Sequence, residues 1–409
     1  MPYFRVDQAT LSAVEGYSAS FYENTLEAVG DKNYIASPFG SWLLLAVLAG
    51  STDFSGVPER EAEVTSILGL PIAEALASSK TILENISGAE IGIGAWFDPD
   101  YALLAPRIAS WLQANTLGTT ESRVPPQDEM DAWTQEVTHG LIKKFPIEIT
   151  PELMFLVASV IYTKFEWREP YDVVESAQHP HLAFWETERA LFSDDANIGF
   201  YQEQSPLRNH LSEIVYAVHY RSAADGQQVM SVIPIGAEVT ELQLLSVAHK
   251  ISSNHASFKR LSYADVAALI PSSIPNGTPA DLDSNLSLVW DENLYSDSAS
   301  IYLPAWEAEN THDLALPTFG FAAEAETLII GYPGEDDGFQ AKQTAIAKYG
   351  AKGFEAAAVT AFGMLRAAGM PQRTGGYVAT LVFDRPFVSL CLVNSIPLFS
   401  AFVRTAVEA

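Results

Sequence analysis

Gly353-Phe-Glu-Ala-Ala-Ala-Val-Thr360 decides how the rest of this chain is read, because it has the composition of a strand and leads into a loop. Ala356, Ala357, Ala358, Val359 and Thr360 are small or β-branched and fit between two strands already in place. Behind them, Gly363, Gly369, Pro371, Gly375 and Gly376 argue for an exposed, mobile loop that runs on to Arg385-Pro386-Phe387. A segment that is loop in one state and strand in another is a switch. Side chains alternate along a strand, so on entering a sheet Phe354, Ala356, Ala358, Thr360 and Phe362 share one face. Ala356, Ala358 and Thr360 are small enough to face a packed core. Phe354 is not, and a ring forced into such an interior costs about 1–3 kcal/mol unless a pocket waits for it. Glu355 faces outward.

Working outward, residues 8 to 29 carry Leu11, Val14, Tyr17, Phe21 and Leu26 at helical spacing. Ile35 then sits in a short strand, and Ser37 can cap a helix whose first position is Pro38. That helix, Trp42 to Ala49, is apolar all round and must be central. Strand-like runs follow at Leu156–Tyr162, Gln228–Ile235, Ser298–Leu303, Val378–Phe383 and Val388–Val393, alternating with helical runs at Asp128–Leu141 and Tyr263–Leu269. With no internal repeat and no linker, residues 1–409 read as one intertwined α+β domain.

The net charge is −28, from 23 Lys plus Arg against 51 Asp plus Glu, so nucleic acid and anionic membranes are poor partners. The single cysteine, Cys391, excludes an internal disulfide and lies in an apolar run as a core residue. No basic segment followed by an apolar stretch opens the chain, so no standard signal peptide is read, and the expected location is cytoplasmic or reached by a non-standard route. Asn85, Asn276 and Asn285 begin glycosylation sequons. A hydrolase finds no motif: there is no Gly-x-Ser-x-Gly, no His-Glu-x-x-His and no phosphate loop. His179-Pro-His181 has no third metal ligand beside it and reads as a surface strand. Glu335-Asp336-Asp337-Gly338 reads as an acidic turn. No metal and no cofactor is expected.

Taken in order, these landmarks resemble the serpin family over essentially the whole chain. Ser37-Pro38 matches the Ser-Pro that opens that family's central helix. Val157-Ala-Ser-Val-Ile-Tyr-Thr-Lys-Phe-Glu-Trp167 is similar to its Leu-Val-Asn-Ala-Ile-Tyr-Phe-Lys-Gly-Lys-Trp. Ile214–Tyr220 with Met230–Pro234 resembles a strand pair, Ile301-Tyr-Leu-Pro-Ala-Trp306 its Leu-Pro-Lys-Phe, and Phe383–Phe387 and Pro397–Phe399 its last core strands. The resemblance implies three sheets and about nine helices in one domain, with a reactive loop at about 353–376, and suggests a prokaryotic-type member without a signal peptide.

Inhibition of a serine protease by a suicide-substrate route is the implied function. The protease attacks the loop, an acyl-enzyme forms, and the cut loop inserts as a new strand of the main sheet before the ester hydrolyses. The implied hinge is Gly353, Phe354, Glu355, Ala356, Ala357, Ala358, Val359 and Thr360. The implied shutter is Ser37, Pro38, Gly40, Ser159 and Gln343, where Ser159 replaces the usual Asn, Gly40 a Ser and Gln343 a His. Ala351 stands where the family has Glu. Spacing from Gly353 puts the reactive bond at Ala367-Ala368, with Arg366-Ala367 one residue away and Met370 and Arg373 further off. Ala suits an elastase- or subtilisin-like protease, Arg a trypsin-like one. The expected molecule is a monomer, not an enzyme. Activation by polyanions is not expected, since Ser78–Asn85 carries one Lys. The alternative is a serpin that does not inhibit and acts as a chaperone or ligand carrier, with Phe354 blocking insertion.

Overall fold

The computed structural model describes residues 6–97, 110, 119–121, 123–150, 153, 155–178, 180–204, 211–223, 227–269, 285–323, 340–355 and 375–409. The helices are α1 (Gln8–Thr25), α2 (Pro38–Ser51), α3 (Pro58–Leu68), α4 (Ile72–Asn85), α5 (Gln127–Val137), α6 (Glu241–Ser252) and α7 (Tyr263–Leu269). The first strands are β1 (Tyr34–Ala36), β2 (Glu90–Phe97), β3 (Thr119–Glu121), β4 (Phe155–Tyr162), β5 (Phe165–Glu166), β6 (Asp172–Glu175) and β7 (Arg189–Ser193). They are followed by β8 (Asn197–Gln204), β9 (Leu211–Ser222), β10 (Gln228–Ile235), β11 (Phe258–Leu261), β12 (Leu286–Asp291) and β13 (Ser298–Leu303). The last are β14 (Trp306–Asp313), β15 (Lys342–Tyr349), β16 (Gly353–Glu355), β17 (Gly376–Val382), β18 (Phe387–Val393) and β19 (Ile396–Val403).

The helix capped by Ser37 forms as the sequence predicts. The Ser37 hydroxyl accepts from the Gly40 N–H at 3.2 Å, Pro38 takes the first helical position, and almost every side chain of α2 is buried. A helix with no polar face has to be surrounded. Here α1, α3 and α4 pack on it, as do β4 and β19, and its Trp42 indole donates to Leu68 O at 3.0 Å. β18 and β19, buried along their whole length, are joined at Asn394-Ser395. Both of those residues have positive φ (51° and 68°), as a two-residue turn matched to strand twist requires. Cys391 lies buried within β18, as its apolar flanks predict.

The strands form groups in the orders β1-β19-β18-β10-β9-β8-β11, β12-β17-β13-β7-β6, β14-β15-β16-β5 and β3-β2-β4. The last two groups are halves of one main sheet, since β4 in one runs after two residues into β5 in the other. One sequence expectation needs correcting. The segment after His179 is not a strand: Pro180–Trp185 is a 3-10 helix, and the proline at its head favours a helical start over an extended one.

Buried histidines tie the layers together. Tyr22 of α1 meets His249 of α6 at 2.5 Å and donates to Ser400 of β19 at 2.8 Å. In a second cluster, His219 of β9 bonds Tyr171 at 2.7 Å. Burial pushes His249 down to about 4, and burial aided by the Arg221 charge pushes His219 down to about 3. A histidine with a folded pKa below its unfolded value of about 6.5 takes up its proton only on unfolding. The stability it contributes is therefore complete above about pH 6.5 and is lost as the pH falls through that value toward the folded pKa. Urea unfolding should show a loss of up to about 1.4 kcal/mol per pH unit for each histidine between pH 6.5 and 4.5. A flat profile over that window rules the mechanism out.

Candidate functional site

The expected switch begins where β15 ends. The chain turns at Gly350–Lys352 and comes back as β16, antiparallel to β15 with Lys348 opposite Glu355 and Tyr349 opposite Phe354. On its other edge β16 pairs antiparallel with β5, Gly353 opposite Glu166 and Phe354 opposite Phe165. Gly353, Phe354 and Glu355, the first three residues of the expected hinge, are thus already a strand inside the main sheet. A Cβ on residue 353 would stand 2.5 Å from Phe165 O, so the close backbone approach requires Gly353. The turn is held from below by backbone and side chain. Trp167 donates its backbone N–H to Lys352 O at 3.0 Å and its indole N–H to Gly350 O at 2.9 Å, and Tyr171 N–H donates to Ala351 O at 2.9 Å.

Phe354 departs from the sequence reading. Its ring is buried, stacked on Phe165 at 5.6 Å and edge-on to Trp306 at 6.3 Å, so the pocket that a ring needs is present. Behind it runs a buried polar chain. The Tyr349 hydroxyl lies 2.5 Å from that of Tyr171, and the Arg221 guanidinium sits 4.1 Å over the Tyr171 ring. His219 Nδ1 faces the Asn197 carbonyl at 3.3 Å, which fixes the proton there; Nε2 then accepts from Tyr171, and Tyr171 accepts from Tyr349. Phe354→Thr should therefore lower the stability of the uncut protein by about 2–4 kcal/mol. Chemical denaturation checks this, and an unchanged midpoint would mean that the ring contributes no anchoring.

Below β16 the sheet is open. Among the described residues β4 pairs with β2 alone, and β15 from Lys342 to Ala347 pairs with β14 alone, so neither has a strand on the edge toward the other. The two edges agree in phase. Ser159 and Ile161 of β4 turn toward α2, where the Ser159 hydroxyl donates to Gly40 O at 3.3 Å and Ile161 Cδ1 stands 3.0 Å from where a residue-40 Cβ would lie. That contact explains a glycine at position 40. On β15, Gln343 faces the same helix end: its amide oxygen accepts from Ser37 N–H at 2.8 Å, and its amide nitrogen donates to Ser37 O at 2.7 Å and to Ser41 Oγ at 2.8 Å. The Ser37 hydroxyl donates to Leu398 O at 2.6 Å. Ser37, Pro38, Gly40, Ser159 and Gln343 are thus brought together under the opening, on the N-terminus of α2. Sequence reasoning missed Ser41, Trp167, Tyr171, Tyr349 and His219. The first is visible only as the helix position four past the cap, and the others act through contacts far apart in sequence.

Ala356, Ala357, Ala358, Val359, Thr360, Arg366, Ala367 and Ala368 lie outside the described residues, as do His179, Asn276 and Glu335–Gly338.

No protein-family model matches the chain. A segment of 53 residues is 30% identical to an uncharacterized serpin-like protein of fowlpox virus, a match that spans 13% of this chain and 15% of that protein. Solved structures match over nearly the full length. Human thyroxine-binding globulin complexed with thyroxine is 15% identical with a TM-score of 0.60, covering 98% of this chain and 100% of that one. A serpin from the trematode Schistosoma haematobium is 12% identical with a TM-score of 0.58, covering 98% and 100%. The thermophilic serpin Tengpin in its native state is 15% identical with a TM-score of 0.59, covering 99% and 96%. These sources single out no prokaryotic type. Matched over nearly its full length by these structures, the chain has the serpin fold.

Proposed function

We propose that the protein inhibits serine proteases as a suicide substrate. The observation that carries this reading is β16: the strand that loop insertion would complete has its first three residues in place, with a defined register on both edges. Carried on without a bulge, that register sets Ala356 opposite Ala347, Ala358 opposite Ala345 and Thr360 opposite Gln343. On the other edge it sets Ala358 opposite Ile161 and Thr360 opposite Ser159. Phe354, Ala345 and Ala347 are buried and Ser159 and Ile161 turn to α2, so the alternation puts Ala356, Ala358 and Thr360 on the inward face. The small residues of the hinge are the ones that must fit above α2.

The chemistry belongs to the protease. Its serine oxygen attacks the carbonyl of the scissile bond, at Ala367-Ala368 or Arg366-Ala367; the peptide C–N bond breaks, the amine leaves with a proton, and an ester remains. Freed at one end, the loop enters the gap and carries the acylated protease away before water can complete hydrolysis. The net charge of −28 favours a protease with a basic face. The test is incubation with elastase-, subtilisin-, trypsin- and chymotrypsin-like proteases, a denaturing gel, and mass analysis of the released C-terminal peptide. The expected result is a complex that survives denaturation, with a peptide beginning at Ala368 or Ala367. Clean cleavage without a complex overturns the inhibitory reading and leaves the carrier reading.

A further inference from the structure

We propose that the open edge of β14 docks an extended, basic peptide segment of a partner protein, which adds a strand to the main sheet on the far side of β15 from the hinge. The proposal is independent of the loop and of the inhibitory reading. Among the described residues β14 pairs with β15 alone, so its other edge carries no strand. The ladder fixes which backbone groups point there. Leu314 N–H donates to Ala341 O at 2.7 Å, one step beyond the Asp313↔Lys342 pair. In an antiparallel ladder that phase turns the N–H and C=O of Ala308, Asn310 and His312 to β15, and those of Glu307, Glu309, Thr311 and Asp313 outward. Two contacts made from the outer side agree with it. Ala305 O accepts from Val407 N–H at 2.9 Å, and Glu307 O accepts from the Asn33 side-chain amide at 2.8 Å.

That cover ends where a cleft begins. The cleft, of about 620 Å³, is lined by residues 309–313 on one wall and by Thr25, Ala28, Val29 and Lys32, at and beyond the end of α1, on the other. Because five consecutive strand residues line it, it runs along the edge of β14 and not over one face. Within it, Glu309 N–H, both backbone groups of Thr311 and Asp313 N–H have no hydrogen-bond partner among the described residues. The edge is held in place before anything docks. Asn310 Oδ1 accepts from Ile35 N–H at 2.6 Å and His312 donates through Nε2 to Ile35 O at 2.8 Å, so two side chains of β14 grip β1 as a neighbouring strand would. A fixed edge loses little entropy when a strand is added to it.

Charge selects the occupant. Glu309 and Asp313 share the exposed face of β14, about 13 Å apart at about 3.3 Å per residue, and Lys32 is the one cation among the described lining residues. The Asp313 carboxylate is fixed there by the Ala315 N–H, which donates to it at 3.0 Å. Carboxylates on a sheet edge turn away strands of like charge and favour a basic one. A strand with Lys or Arg at two positions four apart sets them opposite Glu309 and Asp313 as cross-strand ion pairs, with one small or β-branched residue opposite Thr311.

The test is a titration of the full-length protein with fluorescein-tagged Lys-Val-Thr-Val-Lys-amide, read by polarisation at low ionic strength. Two further peptides are compared, one with Glu at both ends and one with its backbone nitrogens methylated. Two variants accompany them, Glu309→Lys/Asp313→Lys and Thr311→Pro. Thr311 N–H points outward, so proline removes an edge donor without touching the ladder to β15. The lysine peptide is expected to bind at least about tenfold more tightly than either of the others, the double variant to reverse the preference between the two charged peptides, and Thr311→Pro to weaken binding about tenfold. No binding of the lysine peptide up to about 1 mM, equal binding of the methylated peptide, or binding that both variants leave unchanged overturns the proposal. A dimer that forms with rising protein concentration and is lost in Thr311→Pro shows that a second copy takes the edge, and overturns it too. If Thr311→Pro fails to fold, hydrogen exchange of the wild type decides: the Glu309, Thr311 and Asp313 amides should slow at least about tenfold with the lysine peptide, and unchanged exchange refutes docking there.

Discussion

Under the proposed suicide-substrate route, Ala358→Arg is expected to give a protein that is merely cut, with the covalent complex falling at least tenfold and cleaved loop taking its place. The register of β16 sets residue 358 opposite Ala345, which is 2% exposed, and opposite Ile161, whose side chain meets the start of α2 at Gly40. A guanidinium there has no room and no carboxylate supplied by these neighbours, and leaving a charge buried and unpaired costs several kcal/mol at least. Insertion then stalls two residues beyond Ala356, the ester hydrolyses, and active protease is released. Ala357→Arg is the matched control, since alternation turns position 357 outward and trapping should be nearly unchanged. Titration of a sensitive protease with each variant gives the stoichiometry of inhibition. If Ala357→Arg abolishes trapping while Ala358→Arg does not, the register is wrong by one residue.

What the sequence made legible follows from how local each signal is. Ser37-Pro38 announces a helix start because capping is decided within four residues, and the apolar run behind it announces a buried helix because no face is left for water. The strand character of Gly353–Glu355 was equally readable. Its being in the sheet already was not, because that depends on Phe165 and Tyr349 offering edges from elsewhere in the chain. Phe354 shows the limit clearly: ring size is a property of one residue, whereas the pocket is built by Phe165, Trp306 and Tyr349. The shutter residues were named from a resemblance, and their grouping under the opening of the sheet is a tertiary fact.

Gln343→Ala is expected to cost about 3 kcal/mol of folding stability, more than its partial exposure suggests. The amide makes three bonds at one point: Ser37 N–H, Ser37 O and Ser41 Oγ. Ser37 O keeps the Ser41 N–H at 3.3 Å, but Ser37 N–H loses its acceptor and the Ser41 hydroxyl oxygen loses its donor, at about 1–3 kcal/mol for a buried polar group left unsatisfied. The same residue joins β15 to the cap of α2, so losing it loosens the edge against which Thr360 is to pair. Gln343→Glu separates this mechanism from simple loss of packing. A carboxylate can still accept from Ser37 N–H but has no proton for Ser37 O or Ser41 Oγ, so at neutral pH this variant should be at least as unstable as the alanine. A protonated carboxyl regains one donor, which raises the folded-state pKa above the unfolded value of about 4.3. An acid with a raised folded pKa gains stability as the pH falls through that value, the opposite sign to the buried histidines. Between pH 6.5 and 4.5 the glutamate variant should therefore close part of its deficit to the wild type in urea unfolding, while the alanine variant runs parallel to it. Parallel curves for both would mean that the amide's donors are not what holds β15 to the helix.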